Sequence, residues 1–285
     1  MKTGRNSIRI EPMTGAIGAE VHGIDLARDL DDETFAMIHE AYLEYLVLCF
    51  RDQNLTPEQH AAFGRRFGPL MVHPYVKPMD EHPDVMRIVK DVNETHAFGS
   101  ELWHSDMTFM EKPASASILC AREVPKRGGD TLFANMYLAY ETLSPGMKRI
   151  IDGLKTVNRE FSATAGKTVE NKLNNASMKF VNPDQAHGPV LHPVVRTHPE
   201  TRRKLLYGVR SDTERFEDMT EEESRSLVQV LSARATRPEL TMRVRFRPGT
   251  VVLWDNRCAQ HLAINDYDGH RRVMDRVTIQ GERPF

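Results

Sequence analysis

Trp103-His104-Ser105-Asp106 opens a region, Leu102 to about Phe133, that reads mostly as β-strand, interrupted at Pro113 and at the turn signal Gly128-Gly129-Asp130. In a strand, residues two apart project from the same face. His104 and Asp106 would therefore present an imidazole and a carboxylate side by side. Short strands flank this region on both sides. Upstream, Ile8, Ile10, Ile17 and Val21 sit in apolar segments cut by Gly15, Gly18 and Gly23. Leu46-Val47-Leu48-Cys49-Phe50 is a continuous apolar run suited to a buried strand. Downstream, strands are expected at 190–195, 204–209, 250–254 and 272–279. In Thr241 to Arg247, Met242, Val244 and Phe246 alternate with Arg243, Arg245 and Arg247, the pattern of a half-buried strand with one wet face.

Helices fall between the strand groups. Asp31-Asp32 precede apolar residues at Phe35, Ile38, Tyr42 and Tyr45, the spacing of an amphipathic helix. Thr56-Pro57-Glu58-Gln59 combines a capping box with proline at the first helical position and predicts a helix to about Phe67. Ser144-Pro145 starts a third helix, and Thr220-Glu221-Glu222-Glu223 is a second capping box opening a fourth. Residues 70–102 read as irregular. Residues 162–189, rich in small and polar side chains, read as a mobile flap over a site. Many strands with few interposed helices predict a mainly β protein with flanking helices, a jelly roll formed as one domain over 1–285.

Composition excludes several classes. The 285 residues carry 38 basic and 40 acidic side chains, so no net field favours nucleic acid or an anionic membrane surface. No apolar run approaches the ~20 residues that cross a bilayer, and charged Met1 to Glu11 has no apolar core of a secretory signal. Cys49, Cys120 and Cys258 are odd in number and widely spaced. They are expected to be reduced thiols, which places the protein in the cytoplasm.

His104 and Asp106 make half of a metal site, and His261 is the expected third ligand. It follows the apolar strand 251–254 and the polar run Asp255-Asn256-Arg257, near a sheet rim. Two histidines and one carboxylate form the facial triad typical of non-haem Fe(II) oxygenases. His187, His192 and His198 each lie near Gly or Pro in turn-like sequence and are assigned no role. In the last strand Arg272 and Arg276, four apart, share one face with Cα atoms about 13 Å apart, while Asp275 and Val277 point the other way. Buried guanidinium groups need anions, so this face predicts two anionic molecules bound at once. The same three ligands around Zn(II) would suit a hydrolase, and a non-catalytic anion-binding jelly roll is the third reading.

Together, Trp103-His104-Ser105-Asp106, Gly128-Gly129-Asp130-Thr131, Trp254-Asp255-Asn256-Arg257 to His261, and Arg272 with Arg276 closely resemble the taurine dioxygenase (TauD/TfdA) family, over about Ile8 to Phe285. The chain is also similar to that family's phenoxyalkanoate dioxygenases and alkylsulfatase. The resemblance implies a double-stranded β-helix and an Fe(II)- and 2-oxoglutarate-dependent dioxygenase. Such an enzyme takes O₂, hydroxylates a small anionic organic substrate and releases succinate and CO₂. It implies His104, Asp106 and His261 as iron ligands, Thr131 and Arg272 as the pair binding the distal carboxylate of 2-oxoglutarate, and Arg276 with His73 as the substrate's anion site. The family's habit suggests a homo-dimer or tetramer. Contacts to taurine's amine are not matched. Ser100 stands in place of an asparagine, and Val76 stands where the family has a pocket tyrosine, with Tyr75 one place off. The segment Tyr207-Gly208-Val209-Arg210 also departs from the pattern, leaving Arg210 open as pocket or surface residue.

Overall fold

The computed structural model describes residues 8–94, 102–159 and 188–285. Ser100 and nearly all of the 162–189 segment fall outside the described residues. A mixed seven-stranded sheet dominates, in the order β1 (Arg9–Pro12), β2 (Ala19–His22), β3 (Val47–Phe50), β12 (Val251–Asp255), β5 (Ala116–Glu123), β14 (Arg272–Ile279) and β4 (Met86–Lys90). Only β2 and β3 run parallel. A three-stranded sheet, β11 (Thr241–Val244), β6 (Thr131–Asn135) and β13 (Ala259–Ala263), accompanies it. Two small two-stranded antiparallel sheets pair β7 (Lys155–Asn158) with β8 (Val190–Pro193), and β9 (Val195–Thr197) with β10 (Lys204–Leu206).

The continuous apolar runs are explained by burial on both faces of the large sheet. Val47, Cys49, Leu119, Ala121, Val252, Trp254 and Met274 share one core with Phe133, Met242 and Val244 of the small sheet. The alternate residues Leu48, Phe50, Ile118, Cys120, Val251, Leu253 and Ile279 form a second core. That core packs on Ile38, Ala41 and Tyr42 of α1 (Asp32–Tyr45) and Phe63 of α2 (Pro57–Arg65). Among the described residues the other α-helices are α3 (Met136–Glu141), α4 (Pro145–Ile151) and α5 (Glu221–Ala235). Both capping boxes form, with Thr56 and Thr220 accepting from the backbone N–H groups of Gln59 and Glu223. All three cysteines are free and buried. Among the described residues no helix is long and apolar enough to cross a membrane.

Two expectations need correction. Residues 70–102 contain a strand, β4, which closes one edge of the large sheet against β14. Residues 102–115 are not a strand. His104 makes a single bridge, and the chain turns at once through Met107, whose φ is 60°. Residues 259–263, which the sequence assigns to no element, form β13, a five-residue strand of mixed composition. The alternation in 241–247 holds, with Met242, Val244 and Phe246 buried and the three arginines exposed.

On β14, Arg272, Met274 and Arg276 face the space between the sheets and Asp275 faces away. Asp275 is fully buried. Arg87 holds it through both carboxylate oxygens at 2.7 and 2.9 Å, and Arg122 at 2.7 Å. Burial alone would raise its pKa, but the two guanidinium groups hold it below the usual carboxylate range. A depressed folded pKa stabilises the protein above the unfolded value near ~3.9, and that stability is lost as pH falls through the folded value. Asp275→Asn should therefore cost about 3 kcal/mol at pH 7, because it strands two partly buried arginines. In denaturant melts, parent and variant should draw together below about pH 4; an equal gap at pH 7 and pH 3 would rule the ion triad out.

Candidate active site

The two histidines are brought together by backbone pairing. His261 lies in β13, opposite Phe133 of β6 on one side. On the other side it pairs antiparallel with His104, whose N–H donates to the His261 carbonyl at 3.0 Å and whose carbonyl accepts from His261 N–H at 2.8 Å. Directly opposed residues share a face, and the ring centroids lie 4.1 Å apart. The turn after His104 then swings Asp106 to the same point. Asp106 Oδ1 is 3.8 Å from Nε2 of both His104 and His261, and one ligand atom from each residue lies within 4.8 Å of the others.

The protonation states suit a divalent metal. His104 Nδ1 is 2.9 Å from the Leu102 carbonyl, which accepts only from an N–H, so its Nε2 carries the lone pair. Burial lowers both imidazole pKa values. His104 is pushed further by the facing His261, and His261 settles at about 4 despite the attraction of Asp106. Burial works against ionised Asp106, yet the Arg276 guanidinium and a hydrogen bond from Ser117 hold its carboxyl well below the ordinary range. Two neutral nitrogens and one carboxylate, mutually facing and nearly dry, fit a ferrous ion.

Arg272 occupies the neighbouring position between the sheets. It is 8% exposed, makes no ion pair with a carboxylate among the described residues, and leaves its Nε without a hydrogen-bond partner. The rings of Phe246 and Tyr267 lie 5.5 and 5.8 Å from its guanidinium carbon. The Gly128-Gly129 turn closes over it. Both glycines have positive φ, and a Cβ on Gly129 would stand 3.2 Å from Arg272 Cδ and Nε. Thr131, buried at the start of β6, follows that turn directly. A buried guanidinium with no ion-pair partner among the described residues is a fitting seat for a carboxylate of a keto acid.

Arg276 does more than the sequence predicts. Its Nη2 sits 2.6 Å from Asp106 Oδ2, so the expected substrate anchor is also bonded to the expected metal ligand. His73 accepts from Tyr75 N–H at 3.1 Å and meets the rings of Tyr75 and Phe109. Phe109 belongs to the turn after Asp106, which puts His73 on that side of the site. Arg210 resolves as a largely buried residue, clamped to Asp212 at 2.8 and 2.6 Å, and its charge depresses both histidines. Gln260, next to His261, pins the segment by donating to the Val209 carbonyl at 2.8 Å.

His192 was given no part, yet it is buried in β8 and its Nε2 reaches the carbonyls of Thr108 and Met110 at 2.9 and 3.0 Å. It holds the turn that carries Asp106. Its place in the expected strand 190–195, two residues before apolar Val194, is the available signal. A second cluster, His198, Asp255 and Cys258, has ligand spacing but spent lone pairs. His198 Nδ1 accepts from two backbone N–H groups, its Nε2 meets Asp255, and Asp255 is also clamped by Arg257. Burial pushes the Cys258 thiol far from ionisation. That cluster braces the fold.

A mainly β protein with a buried triad of two histidines and a carboxylate defines a non-haem metal enzyme. Comparison with known proteins narrows the class. The taurine catabolism dioxygenase TauD, TfdA family matches residues 9–278. The chain is 34% identical over 280 residues to an alkylsulfatase of Acinetobacter baylyi, covering 96% of this chain and 86% of that one. It is also 34% identical over 285 residues to the (S)-phenoxypropionate/alpha-ketoglutarate-dioxygenase of Sphingobium herbicidovorans, covering 96% and 95%. A crystal structure of a taurine dioxygenase from Burkholderia xenovorans superposes with a TM-score of 0.80 at 37% identity, covering 98% of this chain and 92% of that one. The chain belongs to the TauD/TfdA family. It is a dioxygenase that uses Fe(II), 2-oxoglutarate (alpha-ketoglutarate) and O₂, and the hydrolase and binding-only readings are not favoured.

Because both histidines are already neutral, Mn(II) binding at pH 6.5 should release no histidine proton. Calorimetric titrations in buffers of different ionisation enthalpy would read this directly, and release near one proton per metal would contradict the burial argument. Asp106→Asn should abolish tight Mn(II) binding, since a neutral amide is a poorer ligand.

Proposed function

We propose that this enzyme hydroxylates a small organic monoanion, a sulfate ester, sulfonate or aryloxy-carboxylate, within a single double-stranded β-helix domain. The two sheets enclosing one core and the family match over nearly the whole chain support that architecture. The reading of the site rests on the company the triad keeps. Arg272 is a buried cation that makes no ion pair with a carboxylate among the described residues, a short way along the strand from Arg276.

In this proposal His104, Asp106 and His261 hold Fe(II), while Arg272 and Thr131 receive the distal carboxylate of 2-oxoglutarate through charge-assisted hydrogen bonds. Bound there, iron and the keto acid would supply the oxidising power, O₂ giving one oxygen atom to the substrate and the other to succinate, with loss of CO₂. The protein's own part is positioning and water exclusion. Arg276 and His73 orient the substrate's anionic end. Phe109, Tyr75 and Val76, all buried, offer apolar surface beside it.

Charge counting supports a monoanionic substrate. Arg210 is paired with Asp212 and Arg276 with Asp106, which leaves the positive charge of Arg272. Fe²⁺ and dianionic 2-oxoglutarate cancel each other, so that charge is left for the substrate. The relatives agree in kind, one named for alkyl sulfate cleavage and another for phenoxypropionate. Hydroxylation at a carbon bearing sulfate, sulfonate or aryloxy oxygen would give an unstable product that splits, releasing the anion or phenol.

Succinate release should be screened over alkyl sulfates, alkanesulfonates and aryloxyalkanoates, beside matched neutral alcohols and amines. Turnover confined to anions is expected; equal coupling with the neutral analogues would refute the anion site. Arg272→Ala should raise the 2-oxoglutarate Kd by about 10- to 100-fold, the loss of a charged hydrogen-bond pair. An unchanged Kd would remove Arg272 from the cosubstrate site.

A further inference from the structure

We infer that Ser117 and Asn256 are positioning residues that set the orientation of the Asp106 carboxylate, saturating Oδ2 so that only Oδ1 is presented to the metal. This rests on the triad holding a divalent metal. It assigns work to two side chains that have no direct contact with the two histidines.

The hydrogen-bond directions leave no freedom. Asn256 Oδ1 receives two obligate donors, the Asp106 backbone N–H at 3.2 Å and the Trp254 indole N–H at 2.9 Å. The amide orientation is thereby set, and Nδ2 must be the group that donates to Ser117 Oγ at 2.9 Å. Arg276 Nη2, which can only donate, reaches the same Oγ at 3.0 Å. A serine hydroxyl has two lone pairs and one proton. With both lone pairs taken, its O–H must go to Asp106 Oδ2, 2.8 Å away. Oδ2 thus accepts from Ser117 and faces Arg276 at 2.6 Å, while Oδ1 is turned to the two imidazoles at 3.8 Å.

Burial makes the arrangement stiff. Ser117 is 0% and Asn256 1% exposed, so water cannot replace a lost donor. Ser117 sits on β5 and Asn256 follows β12, adjacent strands of the large sheet, whereas both histidines belong to the edge of the small one. The network therefore ties the carboxylate to one sheet and the imidazoles to the other. Partners of this kind around a metal ligand commonly change affinity by about 10- to 100-fold when removed.

The test uses the intact protein, Mn(II) titration calorimetry and the visible spectrum of the Co(II)-loaded form. Ser117→Ala, and Ser117→Cys with its weaker donor, should bind Mn(II) at least about 10-fold more weakly with an altered Co(II) spectrum. Ser117→Thr, which restores the hydroxyl, should return to within about threefold of the parent. A purely structural serine would lower Tm but leave both metal readouts alone. Mn(II) affinity within twofold of the parent in folded Ser117→Ala or Ser117→Cys, or a folded Ser117→Thr as weak as either, would overturn the inference. If the parent itself failed to bind Mn(II), the metal-site reading would fall instead.

Discussion

Two backbone hydrogen bonds between His104 and His261 are the constraint on which the rest of this molecule depends. They add an isolated bridge to the edge of the small sheet and stand two imidazoles face to face. Everything else at the site is positioned relative to that pair. The turn at Met107 returns Asp106 to it, His192 braces the turn, and Gln260 ties the Arg210 segment to the strand that carries His261. A bridge of one residue pair has little strength of its own. It persists because β13 is already held along its length by β6.

Electrostatics explains why so many arginines stand in so dry a place. A buried cation costs several kcal/mol unless an anion accompanies it. The protein supplies carboxylates for two of the three, Asp106 for Arg276 and Asp212 for Arg210. Arg272 is left to aromatic rings. That asymmetry leaves one buried guanidinium without a carboxylate partner among the described residues, in an enzyme whose cosubstrate, 2-oxoglutarate, is itself anionic. Arg276 reaches both the Asp106 carboxylate and the Ser117 hydroxyl, so one side chain of β14 is tied into the triad.

Much of this was readable in advance because it depends on local rules. Thr56 and Thr220 cap helices by bonding three residues ahead, so the signal and its effect lie in the same few residues. The run Leu46 to Phe50 reads as a buried strand because both its faces are covered, one by α1 and α2 and the other by the small sheet. The parity of β14 placed Arg272 with Arg276 and against Asp275 before any coordinates. Where reading failed, the deciding contacts were remote. Strands β4 and β13 exist because of their partners rather than their composition, and the extended reading of residues 102–115 gave way to a single bridge and a left-handed turn.

From its order of residues alone this protein announces a mainly β chain, a triad of ligands and a pair of arginines on one strand face, because periodicity and side-chain chemistry are properties of the chain itself. Only folding in three dimensions decided which oxygen of Asp106 faces the histidines, that Arg276 and Ser117 hold the other, and that Arg210 turns inward. Those choices rest on hydrogen-bond valence among groups from distant segments. A lone pair is spent only when a donor from elsewhere in the fold arrives to take it.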